Sequence, residues 1–330
     1  MSLHKAATEF LVKFIGSAAL TLLSASAIAQ SESYPSKPIR LIVPYAAGGN
    51  GDVVSRILSA KMGPALGQQL VIDNRGGAGG NIGAEIAAHS PADGYNIVLG
   101  TNTHAINMSL YSKPGYDLVR DFAPISLVSS APMVLMVHPS VPVRNVRELI
   151  ALAKSRPGKL NYGSGGSGSS PHIIMELLKT QAGIDLVHVP YKGVAQSTTD
   201  LMAGNIQVMF NATSTALEHI RAKRVKALGI SSAKRSPLAP DLPTIAESGL
   251  PGFEASIWQG VLAPAGTPNA IVEKLNREIG AALASADVKK QFFAAGVEAM
   301  PSTTAQFRSY IESEIAKWAK VIKASGAKVD

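Results

Sequence analysis

Three glycine-rich turns hold the residues best suited to chemistry in this sequence: "AAGGNGD" (residues 46–52), "GGAGGN" (residues 76–81) and "GSGGSGSSPH" (residues 163–172). Each joins a strand-like run to a helix-like one. A helix start exposes unpaired backbone N–H groups and a partial positive charge, so phosphate, sulfate or carboxylate is its natural guest. Glycine lets that backbone approach an anion closely or adopt positive φ. One such turn is ordinary punctuation. Three on parallel strands open towards the same carboxyl edge of a sheet, where α/β proteins hold their ligands.

Other chemistries find less support. Gly163, Gly165 and Gly168 spell G-x-G-x-x-G, but the preceding strand is short and polar and "LVHVPYKG" offers no acid for a ribose, which argues against a dinucleotide. Neither the nucleoside-triphosphate loop nor the G-x-S-x-G nucleophile elbow occurs. Ser169 and His172 allow the alternative of an exported hydrolase or transferase. Neighbours on one helix turn seldom give nucleophile and base the approach they need, so His172 reads better as a hydrogen-bonding contact to a ligand or a helix-surface residue. Histidines 89, 104, 138, 172, 188 and 219 form no H-x-x-x-H or H-E-x-x-H pair, and no metal or cofactor is expected. Tyr191 and Asn211 each close a strand-like run, a position that faces the cleft in α/β folds. Asn211 donates and accepts without charge, which suits a hydroxyl or carboxylate guest. Trp258 is a cleft wall or hinge packing, with packing preferred.

The elements that position these residues alternate strand, turn, helix from "IRLIV" onward, the signature of βαβ units. The rhythm breaks at "APISLVSSAPMVLMVHP" and again at "FEASIWQGVLAP", with no room for a helix inside either. Two interruptions bracketing a middle block predict one α/β domain inserted into another: residues 30–130 and 255–330 form the first, 131–254 the second. Thr267-Pro268 opens a C-terminal helix, and Phe307, Ile311, Ile315, Ala319 and Ile322 line one face of the last one.

Composition bounds the partners. The chain has 330 residues, 46% hydrophobic, 16% charged and 5% aromatic, with net charge +8. Its basic residues are scattered as singles and pairs without interleaved aromatics, so nucleic acid is not an expected partner. Cysteine is absent, which removes disulfides, thiol nucleophiles and thiolate metal sites. Residues 1–29 read as a secretory signal: His4, Lys5 and Lys13, an apolar run, then Ala27-Ile28-Ala29, leaving Gln30 as the mature start and a periplasmic product. A structural or adhesive exported protein is the third reading, and the three glycine turns disfavour it.

In order along the chain, "YPSKPIRLIVPYAAGGNGD", "DNRGGAGGNIGAE", "PADGYNIVLG", "KLNYGSGGSGSSPH", "VHVPYKG", "SSAKRSPLAPDLPTIAESGLPGFEA" and "VLAPAGTP" resemble the Bug family, periplasmic receptors of tripartite tricarboxylate transporters. The likeness runs from about Tyr34 to the C-terminal helix. It implies a class II periplasmic binding protein (Venus flytrap) fold, two α/β domains joined by two crossing strands, and a solute-binding protein without enzymatic activity. It also implies a small organic acid as ligand (dicarboxylate, tricarboxylate or aromatic carboxylate), a membrane permease as partner and a monomeric receptor. In the family two loops grip a carboxylate, largely through backbone N–H groups and bridging waters. Carried over by motif, the first comprises Ala47, Gly48, Gly49, Asn50, Gly51 and Asp52. The second comprises Gly77, Ala78, Gly79, Gly80 and Asn81. Asn102 joins them after the third strand-like run. The inserted domain is expected to add Ser164, Ser167, Gly168, Ser169, Ser170, His172 and Tyr191, with Asn211 as the fourth wall. The sequence departs from the family at Asn50, often proline or alanine, and at Asn211, often aspartate. The neutral Asn211 is expected to disfavour ligands carrying an ammonium group.

Overall fold

The computed structural model describes residues 34–326, and all elements below belong to the compact unit Lys37–Asp330. The export signal expected over residues 1–29, with Ala27-Ile28-Ala29 and Gln30, lies outside the described residues. No helix among the described residues is long and apolar enough to cross a membrane.

The chain begins as the alternation predicts. β1 (Ile39–Val43) leads into α1 (Asn50–Leu66), β2 (Leu70–Asn74) into a 3-10 turn (Ala78–Gly80) and α2 (Asn81–Ala88), and β3 (Asn96–Thr101) into α3 (Asn102–Leu110). β1 lies between β2 and β3, parallel to both. A strand so placed is covered by helices on both faces, which is why "IRLIV" does not alternate with polar residues.

The first interruption is one strand, β4 (Phe122–Val137). Its 16 residues extend roughly 50 Å at ordinary strand rise, far enough to serve two sections of sheet. Beyond it come α4 (Val146–Ser155), β5 (Asn161–Ser164), α5 (Ser170–Ala182), β6 (Val187–Pro190), α6 (Val194–Ala203), β7 (Val208–Ala212), α7 (Thr213–Arg221) and β8 (Lys226–Ile230). Asn145 starts α4 by accepting the N–H of Glu148 at 2.9 Å. The second interruption is β9 (Ser256–Pro264), followed by α8 (Asn269–Ala284), α9 (Ala286–Ala294), β10 (Glu298–Ala299) and α10 (Thr304–Ser325).

The strands run β2-β1-β3-β9-β4-β7-β5-β6, with β8 and β10 also on β4. β9 is antiparallel to both β3 and β4, and the early part of β4 pairs with β9 while its last residues pair with β7 and β8. The chain thus passes from one sheet section to the other along β4. It returns past Ala255, whose N–H reaches Ser231 O at 2.8 Å, into β9.

Tight packing fixes the returning strand. A Cβ on Gly260 of β9 would lie 2.3 Å from the Phe307 ring, so only glycine lets α10 seat there. Trp258 is wholly buried, and its indole N–H donates to Glu314 Oε2 at 3.0 Å; the Trp318 indole donates to the same oxygen at 2.9 Å. Lys317 pairs with the other oxygen. Trp258 therefore serves as packing between a crossing strand and the C-terminal helix.

Candidate functional site

Four helix starts meet around one cavity of about 350 Å3. Asn50 and Gly51 open α1, Asn102 and Thr103 open α3, Ser170 opens α5, and Ser214 lies in the first turn of α7; all six line the cavity. First-turn N–H groups have no partner within their own helix and carry the positive end of its dipole. None of the described residues lining the cavity is charged. A second cavity of about 410 Å3 shares Thr103 and Ser170 with the first, and adds Gly79, Asn107, Leu110, Tyr111, Ser167, Gly168 and Ser169.

The first turn is braced from behind. Asp52 Oδ2 accepts the Gly48 N–H at 2.9 Å and Arg56 Nε at 2.9 Å, while Oδ1 accepts Asn74 Nδ2 at 3.1 Å. The hydrogen bond from Arg56 is the main reason its carboxyl is held down to about 2. Gly49 and Gly51 line the cavity, whereas Ala47, Gly48 and Asp52 do not. Asn50 is drawn towards the crossing strand. Its Oδ1 accepts Gln259 Nε2 at 2.7 Å, its Nδ2 reaches Ala295 O at 3.4 Å, and Gln259 in turn accepts Ser129 Oγ from β4 at 3.3 Å.

The second turn is held in an unusual backbone path, with positive φ at Gly77 (129°), Ala78 (48°), Gly79 (64°) and Gly80 (92°). Side chains of α3 secure it. Asn107 Nδ2 donates to Gly79 O at 3.1 Å and to Asn81 Oδ1 at 2.7 Å, and Tyr116 donates to the same Asn81 oxygen at 3.0 Å. His104 Nδ1 accepts the Thr101 N–H at 2.9 Å, leaving Nε2–H to point at Gly80 O, 3.4 Å away. Burial pushes His104 down to about 4, so it works as a neutral brace. Gly79 lines the second cavity; Gly77, Ala78, Gly80 and Asn81 stand behind it, and the Gly80 N–H is engaged by Gly77 O at 2.9 Å.

The third turn rests on a stacked row of rings. His172 lies 4.1 Å from His188 and His188 4.8 Å from Tyr162, centre to centre. Ser164 Oγ meets His188 Nε2 at 2.7 Å, and His172 Nδ1 accepts the Gly168 N–H at 3.1 Å. Burial lowers the pKa of His172, and lowers that of His188 to about 4. Ser169 Oγ donates to Gly166 O at 2.7 Å. Ser169 and His172 each hold loop backbone, and the structure does not join them as nucleophile and base.

Two expected walls are held by neighbouring side chains. Tyr191 donates to Asp200 Oδ2 at 2.6 Å. Asn211 donates to Thr198 Oγ1 at 3.0 Å and accepts the Ala212 N–H at 2.8 Å, and it lines neither cavity. Asn102 behaves in the opposite way: it is 1% exposed, sits in the wall of the first cavity, and neither its Nδ2 nor its Oδ1 has a partner. Leaving both unpaired costs about 2–6 kcal/mol in all. Asn107, which lines the second cavity, likewise has a buried Oδ1 without a partner.

Sequence reading missed several lining residues: Tyr45, Thr103, Ser214, Gln259 and the Ala295-Gly296 pair. Thr101 and His104 form a reciprocal cap on α3, a signal present in "TNTH" but written with histidine where glutamate or glutamine is usual.

The chain and its fold have known relatives. The sequence profile described as "Tripartite tricarboxylate transporter family receptor" (TctC) covers residues 54–327. The chain belongs to this receptor family. Among similar solved structures, the periplasmic binding protein BugD is 35% identical, spans 90% of this chain and 100% of its own, and superposes with a TM-score of 0.71. The R. palustris protein Rpa4515, solved with adipate, is 38% identical over 90% of this chain and 100% of its own, with a TM-score of 0.74. MatC from Rhodopseudomonas palustris, solved with bound malate, is 31% identical over 88% of this chain and 100% of its own, with a TM-score of 0.70. The fold is that of a class II periplasmic binding protein: two α/β domains joined by two crossing strands.

Proposed function

We propose that this receptor is exported to the periplasm and captures a small organic carboxylate between its two domains, then delivers it to a tripartite tricarboxylate-type permease. In this reading residues 30–130 and 255–330 form one domain and 131–254 the other, and the protein works as a monomer without turnover. The observation that carries it is the convergence of four helix starts on an uncharged cavity. Such a lining holds an anion through backbone N–H groups and helix dipoles, with no lysine or arginine at the centre. The similarity to proteins solved with adipate and malate supports a carboxylate as that anion.

The same lining bears on ligands with an amine. Asn211 is engaged elsewhere, so the expected discrimination against ammonium falls to the cavity, where four positive helix ends and no carboxylate face the guest. A thermal-shift screen of organic acids, with NMR of the recovered ligand, tests the proposal. Stabilisation by one or more carboxylates, with the ligand recovered unchanged, is expected. A flat screen, or a chemically altered ligand, refutes it.

A further inference from the structure

Gln259 touches two of the four helix starts at once. It is a buried residue of β9, a strand hydrogen-bonded to β3 on one side and to β4 on the other. In those two registers it stands opposite Thr101, the cap of α3, and opposite Ser129. β4 is irregular at this point. Leu127 pairs with Gly260, so an unbroken register would set Val128 against Gln259; the shift between Leu127 and Ser129 brings a hydroxyl there instead. Ser129 Oγ donates to Gln259 Oε1 at 3.3 Å, and Gln259 Nε2 donates to Asn50 Oδ1 at 2.7 Å.

Asn50 is free to serve as the other end of this link. It is the first residue of α1 and is exposed, while Gly49 takes the cap position without any side-chain bond, so the helix does not need the Asn50 amide to start. Its remaining contact, from Nδ2 to Ala295 O, is long at 3.4 Å. With glycine at 48, 49 and 51 the turn has little stiffness of its own. Asp52 holds it from behind through the Gly48 N–H, and Gln259 holds it from the cavity wall, which both Asn50 and Gln259 line.

We propose that Gln259 is a positioning residue for carboxylate binding: through Asn50 it fixes the first turn of α1 relative to the start of α3, so that N–H groups of both helices meet one guest. The two amides act as a pair, and neither supplies the bond that grips the carboxylate. Two helix starts grip one anion well only if their spacing is set beforehand, because ordering a loose turn on binding subtracts from affinity. This inference rests on the carboxylate-receptor reading above.

Calorimetry on wild type, Asn50→Ala, Gln259→Met and the double variant tests it, with malate, adipate and any further acid found by the thermal-shift screen as probes. Gln259→Met keeps the length and bulk of the side chain and removes both polar groups. Each single variant should bind about fivefold more weakly, the effect of one net hydrogen bond, and the double variant no more weakly than either alone. The assigned Gln259 side-chain amide signal in heteronuclear NMR should also shift in Asn50→Ala, which a residue that only fills the core would not show. Unchanged affinity in folded Asn50→Ala overturns the inference, and so does an amide signal that stays in place. Losses that multiply in the double variant overturn it too, because they would mean two separate contacts to the guest. If Gln259→Met does not fold, the affinity of Asn50→Ala and the amide signal decide. If no carboxylate binds the wild type, it is the receptor reading that fails, and this inference with it.

Discussion

Replacing Gly79 with alanine separates the two roles that glycine can play in the second turn. Its backbone sits at φ 64°, ψ 25°, a left-handed conformation that costs an L-residue about 1–2 kcal/mol. A Cβ there would lie 3.2 Å from the Tyr111 hydroxyl and 3.5 Å from Asn107 Nδ2. Neither distance forbids folding, so Gly79→Ala should fold with a melting temperature lower by roughly 2–8 °C. Binding should suffer more. The added methyl faces two residues that line the second cavity, and pushing Asn107 aside weakens its bonds to Gly79 O and Asn81 Oδ1, each worth about 1 kcal/mol. Together with the lost space, an affinity drop of about ten- to a hundredfold follows. Scanning calorimetry gives the first quantity, and isothermal titration with malate and adipate the second. A lowered melting temperature with unchanged affinity would show that glycine is needed only for the turn, and that the second cavity is not part of the site.

Two further substitutions test the supports behind the site. Asp52 titrates at about 2 in the folded chain against an ordinary 3.8, chiefly through the hydrogen bond from Arg56, so its stabilisation is complete above about pH 4 and is lost as pH falls towards 2. Arg56 is more than half exposed, and solvent screening reduces the contribution to about 1 kcal/mol; Asp52→Asn should flatten the acid limb of the stability curve in that window, and an unaltered limb in acid-denaturation melts would contradict the bracing role. Glu314→Ala removes the shared acceptor of both indoles and the partner of Lys317, a loss of about 3–5 kcal/mol in urea denaturation, with a change in tryptophan emission. Glu314→Gln keeps a carbonyl for the indoles and should cost less than half as much; equal losses would rule out the shared hydrogen bond as the source.

How far the site was legible depended on whether its parts leave a local mark. Val146–Ser155 was readable as a helix-like run, and the break at β4 because two apolar runs left no room for a helix between them, although that they form one continuous strand was not. The glycine turns at 46–52 and 76–81 announced themselves because positive φ at Gly48, Gly77, Gly79 and Gly80 demands that residue. Direction was harder. Asp52 and Asn211 line neither cavity in this structure, because their side chains are bonded to Arg56 one helix turn on and to Thr198 on a neighbouring helix. Segment placement alone cannot reveal a competing partner. The starts of α3 and α7 carry no glycine, and the backbone N–H groups they offer are the same in every sequence, so nothing local distinguishes a helix start that faces a cavity from one that faces water. Ala295 and Gly296 reach the cavity only because α9 packs beside α1, a contact between parts of the chain some 240 residues apart. A site that binds through main chain, as proposed for this receptor, hides most of its binding atoms from sequence reading, because every residue type carries the same N–H.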